Sequence, residues 1–216
     1  MPLPPPLKID PSNRAAHSYL VDGDECFFFH EYTAREGPKF SAGNQLVWNL
    51  KKPVTQADQG HYRYKQAAID EAAAMLSAAF DRSPWVYTQA TIAAIPPSKP
   101  VGHAEYDDRM TRVVMQTCAG KGADVRELLV LAKGYEASHK SGSGARLKPG
   151  ELQALYTLTP GAPRQTIILV DDVLTTGAHF VACRNVIRTT HPAARVIGFF
   201  VARRVVPDPA ADFGVV

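Results

Sequence analysis

The chain has 216 residues, 45% hydrophobic and 21% charged, with a formal net charge of +3. These values fit one globular α/β-sized domain with a sizeable core and leave little chain for a second. The charge is too small to argue for nucleic acid by itself, and no apolar run approaches the ~20 residues of a membrane span. The first residues, Met1-Pro-Leu-Pro-Pro-Pro-Leu-Lys8, lack the apolar core of a signal peptide, so a cytoplasmic protein is expected. Cys26, Cys118 and Cys183 are widely spaced, without a metal-ligand pattern, and read as buried free thiols.

Residues 1 to about 15 are proline-rich and without periodicity, which predicts a flexible or extended arm before a single domain over 16–216. Cys26 to Thr33 reads as a strand, and Gln45 to Lys52 as a short strand or helix that periodicity alone does not separate. Between them, Arg35-Glu-Gly-Pro38 reads as a turn. From Gln66 to Phe80 the residues Ile69, Ala72, Ala73, Leu76 and Phe80 recur on one face, which predicts an amphipathic helix covering a sheet. Just before it, Lys51, Lys52, His61, Arg63 and Lys65 alternate with Tyr62 and Tyr64. Such a patch suits single-stranded nucleic acid, or else a solvated basic edge or the subunit contact of a homodimer.

Ala90 to Ile95 is an apolar run that two prolines must end, because proline donates nothing to a strand ladder. Ser98 and Lys99 follow at its end and offer a hydroxyl and an ammonium to an anion. A second helix opens at Glu105-Tyr-Asp-Asp-Arg109, with Met110, Val113, Val114 and Cys118 toward the core. Its early acids suit a helix amino terminus, while Arg109 is placed either to reach an anion or to brace the loop through an acid pair. Glu127 to Ala132 predicts another parallel strand, ending at Lys133. The next sixteen residues, from Tyr135 to Gly150, lose all hydrophobic pattern, as lids and disordered segments do. Leu152 to Leu158 predicts a strand beside that loop, and Arg195 to Ala202 the last strand, with Arg203, Arg204 and the tail at the rim.

The most informative stretch is Thr166-Ile-Ile-Leu-Val-Asp-Asp-Val-Leu-Thr-Thr-Gly-Ala178. Its first residues suit a strand buried on both faces of a parallel sheet. Asp171 and Asp172 come at the carboxyl end, where open α/β sheets place ligands. Adjacent charges there call for a polyhydroxylated or cationic partner. Thr175, Thr176, Gly177 and Ala178 then turn into a helix carrying Phe180, Cys183 and Ile187, and such a turn offers N–H groups and hydroxyls to a phosphate. The plain alternative is a strand-loop-helix connection whose acids are only solvated.

The string Leu-Val-Asp-Asp-Val-Leu-Thr-Thr-Gly-Ala resembles the signature of the type I phosphoribosyltransferases. The resemblance implies an open parallel sheet with flanking helices and a small hood, contributed here by residues of about 20–65. It also implies a site for 5-phosphoribosyl-1-pyrophosphate (PRPP). Asp171 and Asp172 would face the ribose hydroxyls, and Thr175, Thr176, Gly177 and Ala178 would hold the 5′-phosphate. His179 stands where the family usually has Thr or Ser, and its N–H would replace that hydroxyl. Ser98, Lys99 and Arg109, with Lys140 and Arg146 from a closing loop that also carries His139, would take the pyrophosphate. Magnesium would arrive on the substrate, without a protein cage. The order of features, including Asn-Leu-Lys at 49–51 and Ile-Pro-Pro at 95–97, is most similar to the ComF-like phosphoribosyltransferase proteins, although Tyr-Asp-Asp-Arg-Met occupies 106–110 where those often have Arg-Gly-Phe-Asn-Gln. The implied activity is transfer of a phosphoribosyl group to an unidentified nitrogen acceptor. A non-catalytic PRPP- or nucleotide-binding regulator and a nucleic-acid-associated accessory protein are the alternatives.

Overall fold

The structure is a computed structural model, described here for residues 3–131 and 147–206. Its centre is a six-stranded sheet. In chain order the strands are β1 (Leu7–Lys8), β2 (Glu25–Thr33), β3 (Ala90–Ala94), β4 (Asp124–Val125), β7 (Thr166–Leu174) and β8 (Arg195–Val205), arranged β1-β2-β8-β7-β3-β4. All neighbouring pairs are parallel except β1 with β2. A separate antiparallel pair is formed by β5 (Leu129–Leu131) and β6 (Tyr156–Leu158).

Side chains alternate between two cores. Ile167 and Leu169 of β7 join Val196 and Phe200 of β8 on one face, and Ile168 and Val170 join Ile197 and Val201 on the other. Residues 167 to 170 are each 0% exposed, which is the consequence of a strand covered on both sides. The first face is covered by α6 (Ala178–Thr190). The second is covered by α1 (Ala42–Leu50), α2 (Arg63–Asp81) and α4 (Arg109–Thr117), which pack on one another. Two short helices, α3 (Trp85–Gln89) and α5 (Pro149–Gln153), lead toward β3 and β6. The three cysteines are buried free thiols.

Several expectations change. Residues 20–65 do not all stand apart as a hood: β2 is a full member of the sheet, paired with β8 from Glu25 to Thr33. The stretch 42–50 is helical, with Ser41 as its cap accepting from the Asn44 N–H at 3.0 Å. Within the proline-rich arm Leu7 and Lys8 pair with β2, and residues 11–16 turn through a 3-10 helix at Arg14–Ala16. Leu129–Leu131 is not a parallel strand. The ladder on β3 runs through Asp124 and Val125 and ends with the Arg126 N–H on the Ile92 carbonyl at 3.1 Å, after which the chain leaves to pair antiparallel with β6. An apolar run carries no information about strand direction, so the sequence pattern could not tell the two apart. Of the stretch 152–158, Leu152 and Gln153 end α5, Ala154 and Leu155 form a turn, and only Tyr156–Leu158 is strand. Arg203 and Arg204 lie within β8 rather than beyond it.

Candidate functional site

The strand order reverses direction between β3 and β7. From β3 the chain passes through α4 to β4 on one side, and from β7 it passes through α6 to β8 on the other. Because α4 and α6 cover opposite faces, a crevice opens at the carboxyl ends of β3 and β7, where ligands bind in open α/β sheets. Asp171 and Asp172, within β7 just past its last pairing with β3, line one wall of that crevice, and the loop from Ile95 to Lys99 lines the other, joined by the Ile95 N–H on the Val170 carbonyl at 2.9 Å.

Successive β7 residues point to opposite faces, so the two acids do too. Asp172, buried at 4% exposure, points toward α1 and α4. Arg109 donates to its Oδ2 through Nε at 3.0 Å and through a second guanidinium nitrogen, and Lys51 Nζ lies 3.2 Å from its Oδ1. The same guanidinium donates to Asp107 Oδ2 at 2.7 Å, and Asp107 receives Lys65 Nζ at 2.7 Å. Lys65 also donates to the carbonyls of Leu50 at 2.6 Å and Lys52 at 2.9 Å, which ties the end of α1 to the start of α2. Three cations and two carboxylates thus form one chain across the second face.

The charges follow from this arrangement. Burial works against the ionised form of Asp172, but Lys51 and Arg109 outweigh it and hold its carboxyl well below the usual range. Burial likewise opposes the Arg109 cation, which Asp172 and Asp107 more than restore. Asp171 is half-buried and its carboxyl is pushed up, first by burial and then by the charge of Asp172 beside it, although its Oδ1 accepts the Asp172 N–H at 2.8 Å. One acid is therefore firmly ionised, while its neighbour gives up its proton far less readily.

Beyond β7, Gly177 caps α6 with φ +86°, a backbone that favours glycine, and no side chain caps the first helical turn. The N–H groups that begin any helix lack partners within it, so this turn presents them together with the half-buried Thr175 and Thr176. His179 lies in the first turn of α6, where Tyr156 OH and His179 Nδ1 are 2.7 Å apart. Burial pushes its pKa down to about 4, so the ring is neutral near pH 7. Ala178 is buried.

Of the other expected residues, Lys99 lies 3.7 Å from Glu105, and Ser98 is half-buried in the same loop. Arg109 braces one acid just before α4 and one on β7, the second of the two roles its position allowed. Lys133, His139, Lys140 and Arg146 lie outside the described residues. The basic patch at 51–65 does not form a continuous surface, since Lys65 is 1% exposed and Lys51 turns to Asp172. Sequence reasoning did not place Lys51, Lys65, Asp107 or Tyr156 at the site. A signal existed for Lys65, which falls four residues before Ile69 on the apolar stripe of α2, where a lysine needs a buried partner. Among the described residues no group of three or more His, Cys, Asp or Glu is placed to hold a metal ion, and no helix is long and apolar enough to cross a membrane.

No protein-family model matches the chain, and no curated protein matches it. What can be stated of its class rests on fold and geometry: an α/β protein with a mostly parallel sheet and an acidic pair at the reversal of strand order.

Proposed function

We propose that this protein is a phosphoribosyltransferase of the type I kind, binding magnesium PRPP in the crevice between β3 and β7. The observation that carries the reading is the sequence of groups along β7 and α6: two carboxylates in the carboxyl-terminal half of a central strand, then an uncapped helix amino terminus a few residues on. One end suits a ribose diol, the other a phosphate, and a ribose 5-phosphate has both.

In this reading Asp171 and Asp172 take the ribose hydroxyls and favour positive charge developing at C1 as pyrophosphate leaves and a nitrogen nucleophile attacks. Their hard oxygens also fit a hydrated magnesium ion carried by the diphosphate, which stabilises the leaving charge when bound. Thr175 to Ala178 hold the 5′-phosphate. Arg109 keeps Asp172 ionised and aimed, while Lys51, 44% exposed at its side chain, is the partner able to leave Asp172 for the incoming anion. Ser98 and Lys99 face the pyrophosphate from the β3 side, with Lys140 and Arg146 as further ligands. Neutral His179 offers one ring nitrogen in place of a hydroxyl.

Calorimetry with magnesium PRPP tests the reading. Wild type binds, and Asp171→Asn/Asp172→Asn does not; no binding by wild type sinks it. A panel of nucleobases and amines then decides between classes. Pyrophosphate release that depends on one acceptor selects the enzyme, and binding without release under every acceptor selects a regulatory PRPP-binding protein.

A further inference from the structure

The amino-terminal segment from Ile9 to Asp24 lies across the turn that leads into α6. Its start is fixed by the Ile9 N–H on the Cys26 carbonyl at 2.8 Å, and its end by Asp24 paired with Arg184 of α6, both nearly buried. Between these anchors two donors address successive carbonyls of the turn. His17 Nδ1 meets the Thr175 carbonyl, and the Tyr19 N–H reaches the Thr176 carbonyl at 3.0 Å. Leu20 closes over Gly177, where an added Cβ would meet its Cδ2 at 2.9 Å.

A carbonyl only accepts, so Nδ1 of His17 carries the proton and Nε2 keeps its lone pair. His17 is 0% exposed, and Nε2 is buried without a hydrogen-bond partner. An unpaired buried nitrogen is costly, so the hydrogen bond made by the other ring nitrogen is the polar contact that holds the ring in place. The peptide unit is planar and trans, so the C=O of Thr175 and the N–H of Thr176 point in opposite directions, as do the C=O of Thr176 and the N–H of Gly177. Drawing both carbonyls to the segment turns both N–H groups to the opposite side of the turn.

We infer that residues 17–20 are a strap that orients the phosphate-binding turn, with His17 as a positioning residue for a 5′-phosphate. The inference rests on the phosphoribosyl reading of the same site. Without the strap the turn loses the aligned Thr176 and Gly177 N–H groups, and a phosphate loses directed donors rather than charge.

The test is the affinity of the full chain for ribose 5-phosphate by calorimetry, with thermal unfolding followed in parallel. His17→Leu is expected to weaken binding about tenfold, the scale of one directed hydrogen bond. His17→Asn, whose amide nitrogen stands near the place of Nδ1, is expected to restore most of it at an unfolding midpoint matching that of His17→Leu. Should His17→Leu fail to fold, Leu20→Ala loosens the strap without touching a donor and is expected to weaken binding several-fold. Failure of the wild type to bind ribose 5-phosphate overturns the phosphate site and the strap with it. Wild-type binding matched by His17→Leu, or by Leu20→Ala where that variant is used, overturns the strap alone. Equal loss in the Leu and Asn variants means His17 serves only packing, and also overturns it.

Discussion

At Asp172 two cations do different work because they are buried to different extents. Arg109 is largely enclosed and shared between Asp172 and Asp107, so removing it takes a buried cation from both carboxylates at once. Arg109→Leu is expected to cost about 3–5 kcal/mol in urea unfolding, the range for breaking a buried pair. Lys51→Met removes a half-exposed partner and is expected to cost less than about 1 kcal/mol. The same Lys51→Met change should weaken PRPP binding, and equal stability losses for the two variants would refute the distinction. Asp171 supplies a second measurement. Its raised pKa means that a bound cation or ionised ligand set must displace a proton near neutral pH. Calorimetry of magnesium PRPP in buffers of different ionisation heat should therefore show proton release in wild type, and none in Asp171→Asn.

The elements meet at two glycines with different constraints. Gly43 lets α1 lie against β2, since a Cβ there would fall on the Glu31 carbonyl oxygen, well inside contact distance, and 2.9 Å from the His30 Cβ. Backbone cannot swing aside as a side chain can, so Gly43→Ala must push α1 outward, at about 1–3 kcal/mol as for other overpacked sites. That shift carries Lys51, at the end of α1, away from Asp172. Gly177 is constrained by φ +86° as well as by Leu20. An alanine there costs about 1–2 kcal/mol from the left-handed backbone alone. Gly177→Ala is expected to lose ribose 5-phosphate affinity as well as stability, whereas Gly43→Ala should weaken PRPP binding and spare ribose 5-phosphate. Titration of both ligands into both variants checks this.

For the molecule as a whole, buried groups of opposite sign set the dependence of stability on pH. Burial lowers the pKa of His17, His30 and His179, so the unfolded chain binds more protons than the folded one as pH falls below the ordinary value of 6.5. Asp171 acts in the opposite sense, since its raised pKa makes the folded state the better proton binder between its ordinary and raised values. The His179 contribution is complete above about 6.5 and lost as pH drops toward 4, while the Asp171 contribution is complete at low pH and lost as pH rises toward about 7, so the two offset one another across this window. Urea midpoints of Asp171→Asn measured across the window should therefore slope upward with pH, and adding His179→Gln should flatten part of that slope. A flat profile in Asp171→Asn would show that the histidines are not held neutral.

The sequence by itself determined the central strand, the acids at its end and the glycine turn, because those are local: an unbroken apolar run must be covered on both faces, and the residues after it must emerge at the sheet's edge. It likewise determined α2 through its 3.6-residue stripe, and the end of β3 through two prolines. Long-range pairing was decided only by the tertiary structure. Strand direction left no mark on Leu129–Leu131, and the apolar pattern of Cys26 to Thr33 did not say that it would enter the main sheet. Lys51, Lys65 and Asp107 are separated along the chain and meet Asp172 only because α1, α2 and α4 pack on one face. His17 reaches Thr175 across 158 positions of sequence. Spacing encodes which face a residue takes within its own element, but which distant element closes over that face depends on packing of the whole chain.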